Sequence, residues 1–242
     1  MRFLLAALIL CVLPALALAG PPYVTDDAEP TDYKHFEIYA FTSGTNTRDG
    51  TGGAGGIDFN YGGAPDLQLT MVLPLEYDSP VGGAAVAGLG NVELAAKYRF
   101  LHQDDFGWDV AVFPRVFLPS ASPLVGDRHA SLLLPIWAEK DFGDWSTFGG
   151  GGCVLNNGGE SQDYCLMGWV LTRAVTPALH IGAEIYHQTA DTRGGRATTG
   201  IGVGATYDLS ENYHLMTSFG PGIQNAAETN RTSWYTAILF TF

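Results

Sequence analysis

Large apolar side chains recur at every second position along several segments of this chain, and the positions between them carry charge or small residues. In 67–77, Leu67, Leu69, Met71, Leu73, Leu75 and Tyr77 share one face, and Gln68, Thr70 and Glu76 lie on the other. In 91–100, Val92, Leu94, Ala96, Tyr98 and Phe100 oppose Asn91, Glu93, Lys97 and Arg99. In 108–118, Trp108, Val110, Val112, Val116 and Leu118 oppose Asp109, Phe113, Arg115 and Phe117. A period of two is the signature of a strand with two unlike environments. A secreted sandwich would keep a polar outer face, whereas here large apolar residues often occupy both.

The composition sharpens the choice. The chain is 46% hydrophobic and holds 31 Gly and 11 Tyr. Beyond the N-terminus, no apolar run approaches the ~20 residues that a membrane helix needs. High apolar content without such runs suits strands that show lipid only half their side chains. A Lys or Arg facing lipid at mid-membrane costs about 2–4 kcal/mol. Lys97, Arg99 and Arg115 are therefore expected to face inward, inside a sheet closed on itself. Lys34 and Lys140 share faces with lipid-side residues, but near strand ends, where a long side chain snorkels to the interface.

Both ends of the chain agree. Met1-Arg2, the apolar stretch from Phe3 to Leu18 and the small residues Ala17-Leu18-Ala19 read as a secretory signal peptide, residues 1–19. The last nine residues, Trp234 to Phe242, alternate and stop on an aromatic ring, as the final strand of an outer-membrane barrel does. That strand is the expected handle for the barrel-assembly machinery.

Twelve strand candidates lie near 33–43, 52–61, 66–77, 90–101, 106–118, 129–141, 144–155, 163–173, 178–189, 197–207, 213–220 and 232–242. The 144–155 and 163–173 candidates sort poorly into faces. Connections alternate between short turns and longer loops rich in Gly, Ser and charge. The expected fold is all-β: a closed antiparallel up-and-down transmembrane β-barrel of about twelve strands, residues 33–242, with short periplasmic turns and longer extracellular loops. Residues 20–32 form a periplasmic N-terminal segment, extended by Pro21, Pro22 and Pro30. It could dangle, line the lower mouth or plug the lumen.

Candidate site residues follow from the inward faces. Glu37, Glu76, Glu93, Lys97, Arg99, Asp109 and Arg115 form a charged zone, with Lys97 expected opposite Asp109 if the turn at 102–105 is symmetric. Such residues either brace the interior or select solutes. Tyr39, Phe41, Phe113, Phe117 and Tyr235 form an inward aromatic group in the outer half, either as lumen packing or as a stacking surface for an aromatic or amphipathic solute. Cys153 and Cys165 flank a turn-rich stretch and could form a structural disulfide. The formal charge of −13 argues against nucleic acid as a partner. No cofactor and no metal site is implied, and the Gly-rich stretches lack the Lys-Ser/Thr of a phosphate loop.

The stretch Gly20 to Tyr39, with its Thr25-Asp26-Asp27 core, Pro30 and Glu37, resembles the opening of a bacterial outer-membrane transporter family described as meta-pathway phenol-degradation proteins. Gly90 to Phe100, a Gly-led strand ending in Lys97-Tyr98-Arg99-Phe100, resembles a second recurring stretch, with Asn91 where Asp is common. The resemblance implies an outer-membrane channel for aromatic or hydrophobic compounds. With the inward faces, it gives the expectation of passive uptake of small aromatic or amphipathic solutes across a lipid-embedded wall. One alternative is an occluded barrel with a structural or adhesive role. Another is a lipid acyl hydrolase built on His129, Ser131 and Asn156; the inward turn of His129 and Ser131, away from lipid, weighs against it, and the expected protein is not an enzyme.

Overall fold

A computed structural model describes residues 22–125, 129–156, 158 and 161–242. The proposed signal peptide lies outside the described residues. The described chain forms one antiparallel sheet of twelve passes closed into a barrel. Its strands are β1 (Phe36–Asn46), β2 (Gly50–Ala64), β3 (Leu67–Pro80), β4 (Val86–Leu89), β5 (Glu93–Leu101), β6 (Asp109–Val112), β7 (Arg115–Phe117) and β8 (Ser131–Phe142). They continue with β9 (Trp145–Asn156), β10 (Tyr164–Thr176), β11 (Leu179–Gln188), β12 (Thr198–Ser210), β13 (Tyr213–Gly220), β14 (Gly222–Gln224) and β15 (Thr232–Thr241). Two single-turn helices, α1 (Gln103–Phe106) and α2 (Ala226–Thr229), sit in connections.

The seam closes between first and last strands, with Glu37 opposite Thr241 and Asn46 opposite Thr232. Phe36 and Phe242 stack there, ring centroids 5.8 Å apart. Closure leaves the long passes without an unpaired edge, which a bilayer requires because lipid offers no hydrogen bonds. The outer surface is the expected apolar belt. Leu69, Met71, Leu73 and Leu75 on β3, Leu134 and Ile136 on β8, and Ile181 and Ile185 on β11 are all exposed. The short turns fall at the end that holds Phe36 and Phe242, the periplasmic end of such a barrel.

Two expected strands are broken. The fourth splits into β4 and β5 around Gly90-Asn91-Val92, whose polar groups turn to the next loop: Ser120 Oγ accepts from Val92 N–H, and Asn91 Oδ1 accepts from Ala121 N–H. The fifth splits into β6 and β7 at Phe113-Pro114, because Pro114 has no N–H to give the ladder. β9 and β10 sort poorly in sequence because Gly149 to Gly152 supply no side chains to alternate. In the structure they pair in unbroken register, Cys153 opposite Cys165, and these two form a disulfide on the wall's outer face.

Candidate functional site

The inward faces carry the polar residues, as the cost argument demands. Lys97 is 2% exposed, and Glu93, Glu139, Glu184 and His214 are buried with it. Lys97 does not face Asp109. A register shift between Arg99 and Leu101, together with the α1 turn, breaks the symmetry assumed for that hairpin. Arg99 takes that place, 3.8 Å from Asp109 and 3.0 Å from Asp66. Arg115 pairs with Glu93 at 2.8 Å.

Lys97 instead meets the N-terminal segment. Its Nζ donates to Asp26 at 3.0 Å, to Asp27 at 2.8 Å and to the Glu29 carbonyl at 3.1 Å. Residues 22–31 thus run up inside the barrel, and of the three placements open to the segment it takes the one within the lumen. The reason is local: a buried ammonium needs carboxylate partners, and Asp26 and Asp27 supply two side by side. The other ties come from strands all round the wall. Glu184 on β11 accepts from Thr25 N–H at 2.6 Å and from Val24 N–H at 3.3 Å. Glu139 on β8 accepts from Ala28 N–H at 3.2 Å, and Gln68 on β3 accepts from Thr31 N–H at 2.8 Å. Ser218 on β13 donates to the Pro22 carbonyl.

Room for the segment comes from absent side chains. A Cβ on Gly204 of β12 would lie 2.7 Å from the Tyr23 ring, and one on Gly182 of β11 would meet the Tyr23 hydroxyl. Gly168 of β10 lies against Thr25 in the same way. Ala28 completes a buried apolar cluster with Ala111, Phe113 and Trp137. Glu29 is on the segment rather than on a strand. Burial first, then the neighbouring Asp27 carboxylate, push its pKa up to about 8.

The expected aromatic group divides. Tyr39, Phe41 and Tyr235 lie together beside Met216, Ala237 and Leu239, with Phe41 and Tyr235 stacked at 6.2 Å. Phe113 goes to the Ala28 cluster, beneath Lys97 and Arg115 at 5.0 and 4.6 Å. Phe117 is opposite Glu93 in register, above Phe113 along the same pass. Glu76 lies against Gly90. Sequence reasoning missed Tyr23, Trp137 and Tyr186. Of the hydrolase candidates, Ser131 and Asn156 are paired in register, while His129 precedes β8 in the outer loop and is exposed.

Above the segment opens a vestibule of about 780 Å³, lined by Tyr23, Tyr186, Tyr235, Asn230, Glu184 and strand backbone. Tyr23, Val24 and Tyr235 also border a smaller chamber of about 170 Å³, where Glu37, Asp58, Tyr39, Lys97 and Arg115 converge. The N-terminal segment lines both of these spaces.

The family model described as "Putative MetA-pathway of phenol degradation" matches residues 36–237. The chain belongs to that family. No curated protein sequence matches it. Among solved structures, it is similar to the COG4313 outer membrane channel from Pseudomonas putida F1, at 14% identity over 89% of this chain and 98% of that one, TM-score 0.74. The KdgM porin matches at 11% identity over 85% and 99%, TM-score 0.60, and one structure of that porin holds a disordered oligogalacturonate. The NanC porin matches at 8% identity over 85% and 98%, TM-score 0.56. At these identities the likeness is one of fold, that of a bacterial outer-membrane barrel.

Proposed function

We propose that this family member is an outer-membrane channel that passively admits small aromatic or amphipathic solutes and restricts its own lumen with residues 22–31. The observation that carries the reading is the tyrosine-lined vestibule leading down to a carboxylate-bearing chamber past the N-terminal segment. Tyrosine rings stack on flat apolar solutes while their hydroxyls stay hydrated.

The charge pattern narrows the solute. Lys97 is committed to Asp26 and Asp27, Arg99 to Asp66, and Arg115 to Glu93. Glu37 and Asp58 line the chamber, and neither forms an ion pair among the described residues. A polyanion such as the oligogalacturonate held by KdgM would find no uncommitted cation among the described residues that line these two spaces. Neutral or cationic solutes fit better.

Planar-bilayer recording of the purified full chain tests the proposal. Stepwise conductance, reduced by millimolar aromatic solute added on the loop side, is the expected result. A silent bilayer with well-folded protein would overturn it in favour of a structural barrel.

A further inference from the structure

The outer wall carries a second concentration of chemistry that a solute path does not use. Near the periplasmic ends of β8, β9 and β10, three of the chain's five tryptophans gather on the lipid-facing surface. Trp108 enters β6, Trp145 starts β9 and Trp169 lies on β10. The Trp108 and Trp169 rings meet edge-on, centroids 6.2 Å apart. Trp169 lies against Gly149 of β9 and donates from Nε1 to Thr147 Oγ1 at 2.8 Å. Exposed Phe142 and Ile136 border the patch.

Two cations stand in this patch. Lys140 Nζ is 5.6 Å from the Trp108 ring centroid, and the Arg173 guanidinium is 5.2 Å from that of Trp145. Neither has a carboxylate within ion-pairing distance among the described residues. That is unusual in a chain of net charge −13. Arg173 shares a register row with Trp145 and Phe142; Lys140 shares the next row with Thr147 and Leu171. Strand spacing and rise put their Cα atoms about 12 Å apart, within the joint reach of two long side chains. The turn at Gly143-Asp144 just below them is a short one, at the end that holds Phe36 and Phe242, so the patch lies at headgroup level of the periplasmic leaflet.

We propose that this patch is a binding site for an anionic phospholipid of the periplasmic leaflet. Lys140 and Arg173 receive the phosphate, and the acyl chains lie along Trp169 and the exposed Ile136. Charge complementarity selects the occupant. Unpaired cations above a tryptophan shelf, facing lipid, match a phosphodiester attached to hydrocarbon and little else at that depth. Lys34 offers an internal control. It sits 4.9 Å from the Tyr33 ring centroid at the same end of the barrel, but as a single cation without tryptophan.

The test uses the patch's own fluorescence. The full chain is reconstituted in phosphatidylcholine vesicles doped with brominated phosphatidylglycerol or, at equal mole fraction, brominated phosphatidylcholine. A cation near a membrane surface attracts anionic lipid by about fivefold, so the wild-type should be quenched more by the anionic lipid. The double variant Lys140→Gln/Arg173→Gln should lose that excess, each single variant should lose part of it, and Lys34→Gln should keep it. Inorganic phosphate, added at constant ionic strength, should leave the excess unchanged. Three outcomes would overturn the site: equal quenching by the two lipids in wild-type, an excess that survives the double variant, or an excess abolished by inorganic phosphate, which would assign the cations to the free ion. All the substituted side chains sit on the outer surface, and heat-modifiable migration on gels verifies that each variant is folded.

Discussion

The outer half of the lumen is roomy and lined by tyrosine hydroxyls and strand backbone, while the middle is crossed by a polypeptide held on every side. Loss of a contact in the vestibule changes what touches a solute. Loss of a contact in the middle changes whether the path exists, because the segment is held by a handful of directed bonds rather than by a sheet ladder. The ladder of the barrel wall closes on itself between β1 and β15 without help from the segment, so the wall should fold without it. The two regions should therefore respond to mutation on different scales.

Deleting residues 20–31 is the severest way to break the contrast. The vestibule and chamber would merge, and single-channel conductance should rise severalfold with the barrel still folded. Unchanged conductance would mean that the segment does not limit the path. Lys97→Met comes next. Removing one partner of a buried ion pair costs about 3–5 kcal/mol when the remaining charge stays buried. Here Asp26 and Asp27 can escape by leaving the lumen, so the cost should appear as frequent long openings rather than unfolding. Recordings that match wild-type would show that the other ties suffice.

Gly204→Val probes the same region through space instead of charge. Its Cβ falls too close to the Tyr23 ring to be accommodated without movement. The expected result is partial displacement of the segment's upper end and an intermediate conductance, with melting of the barrel little changed. Gly202 on the same strand has no comparable neighbour, its Cβ lying 3.7 Å from Glu184 Oε2, and Gly202→Ala should be nearly silent. A smaller effect still is expected of Cys153→Ala/Cys165→Ala. The bond lies on the outer face, across the wall from the segment, so thermal stability should fall while conductance holds. A conductance change in that variant would show that the β9–β10 wall communicates with the lumen.

The wall was readable from sequence and the segment was not, for physical reasons. Lys97, Arg99 and Arg115 could be assigned inward because the cost of a charge in lipid is large and one-sided. Period two then assigned the faces of their neighbours on the same strands. Residues 22–31 have no period. Their prolines fix them only as extended, and their acidity fits a solvated tail as well as a plug. What decides is the complement, Gly182 and Gly204 paired in register against Tyr23, with Gly168 on the next strand against Thr25. A glycine reads in sequence as flexibility and in the fold as a groove. Arg173 was missed for a related reason: glycine-rich β9 and its partner β10 gave no clear alternation, so its outward side was not visible. The breaks at Gly90 and Pro114 were present as residues but were absorbed into long strand candidates.

The slightest test perturbs one proton. Glu29 holds its proton in the docked segment up to about pH 8, against an ordinary value of 4.5, because burial and Asp27 disfavour its charge while Arg99 and Lys97 only partly offset them; Asp141 adds to the repulsion. Docked Glu29 thus binds more protons than free Glu29 between those two values. Docking is strongest below the lower one, weakens as pH rises, and levels off once pH passes the upper one. Between pH 6 and 9, open probability should climb modestly with pH. Glu29→Gln should flatten that climb, since a neutral side chain cannot gain the charge. A slope that survives the substitution would assign the titration to a group other than Glu29.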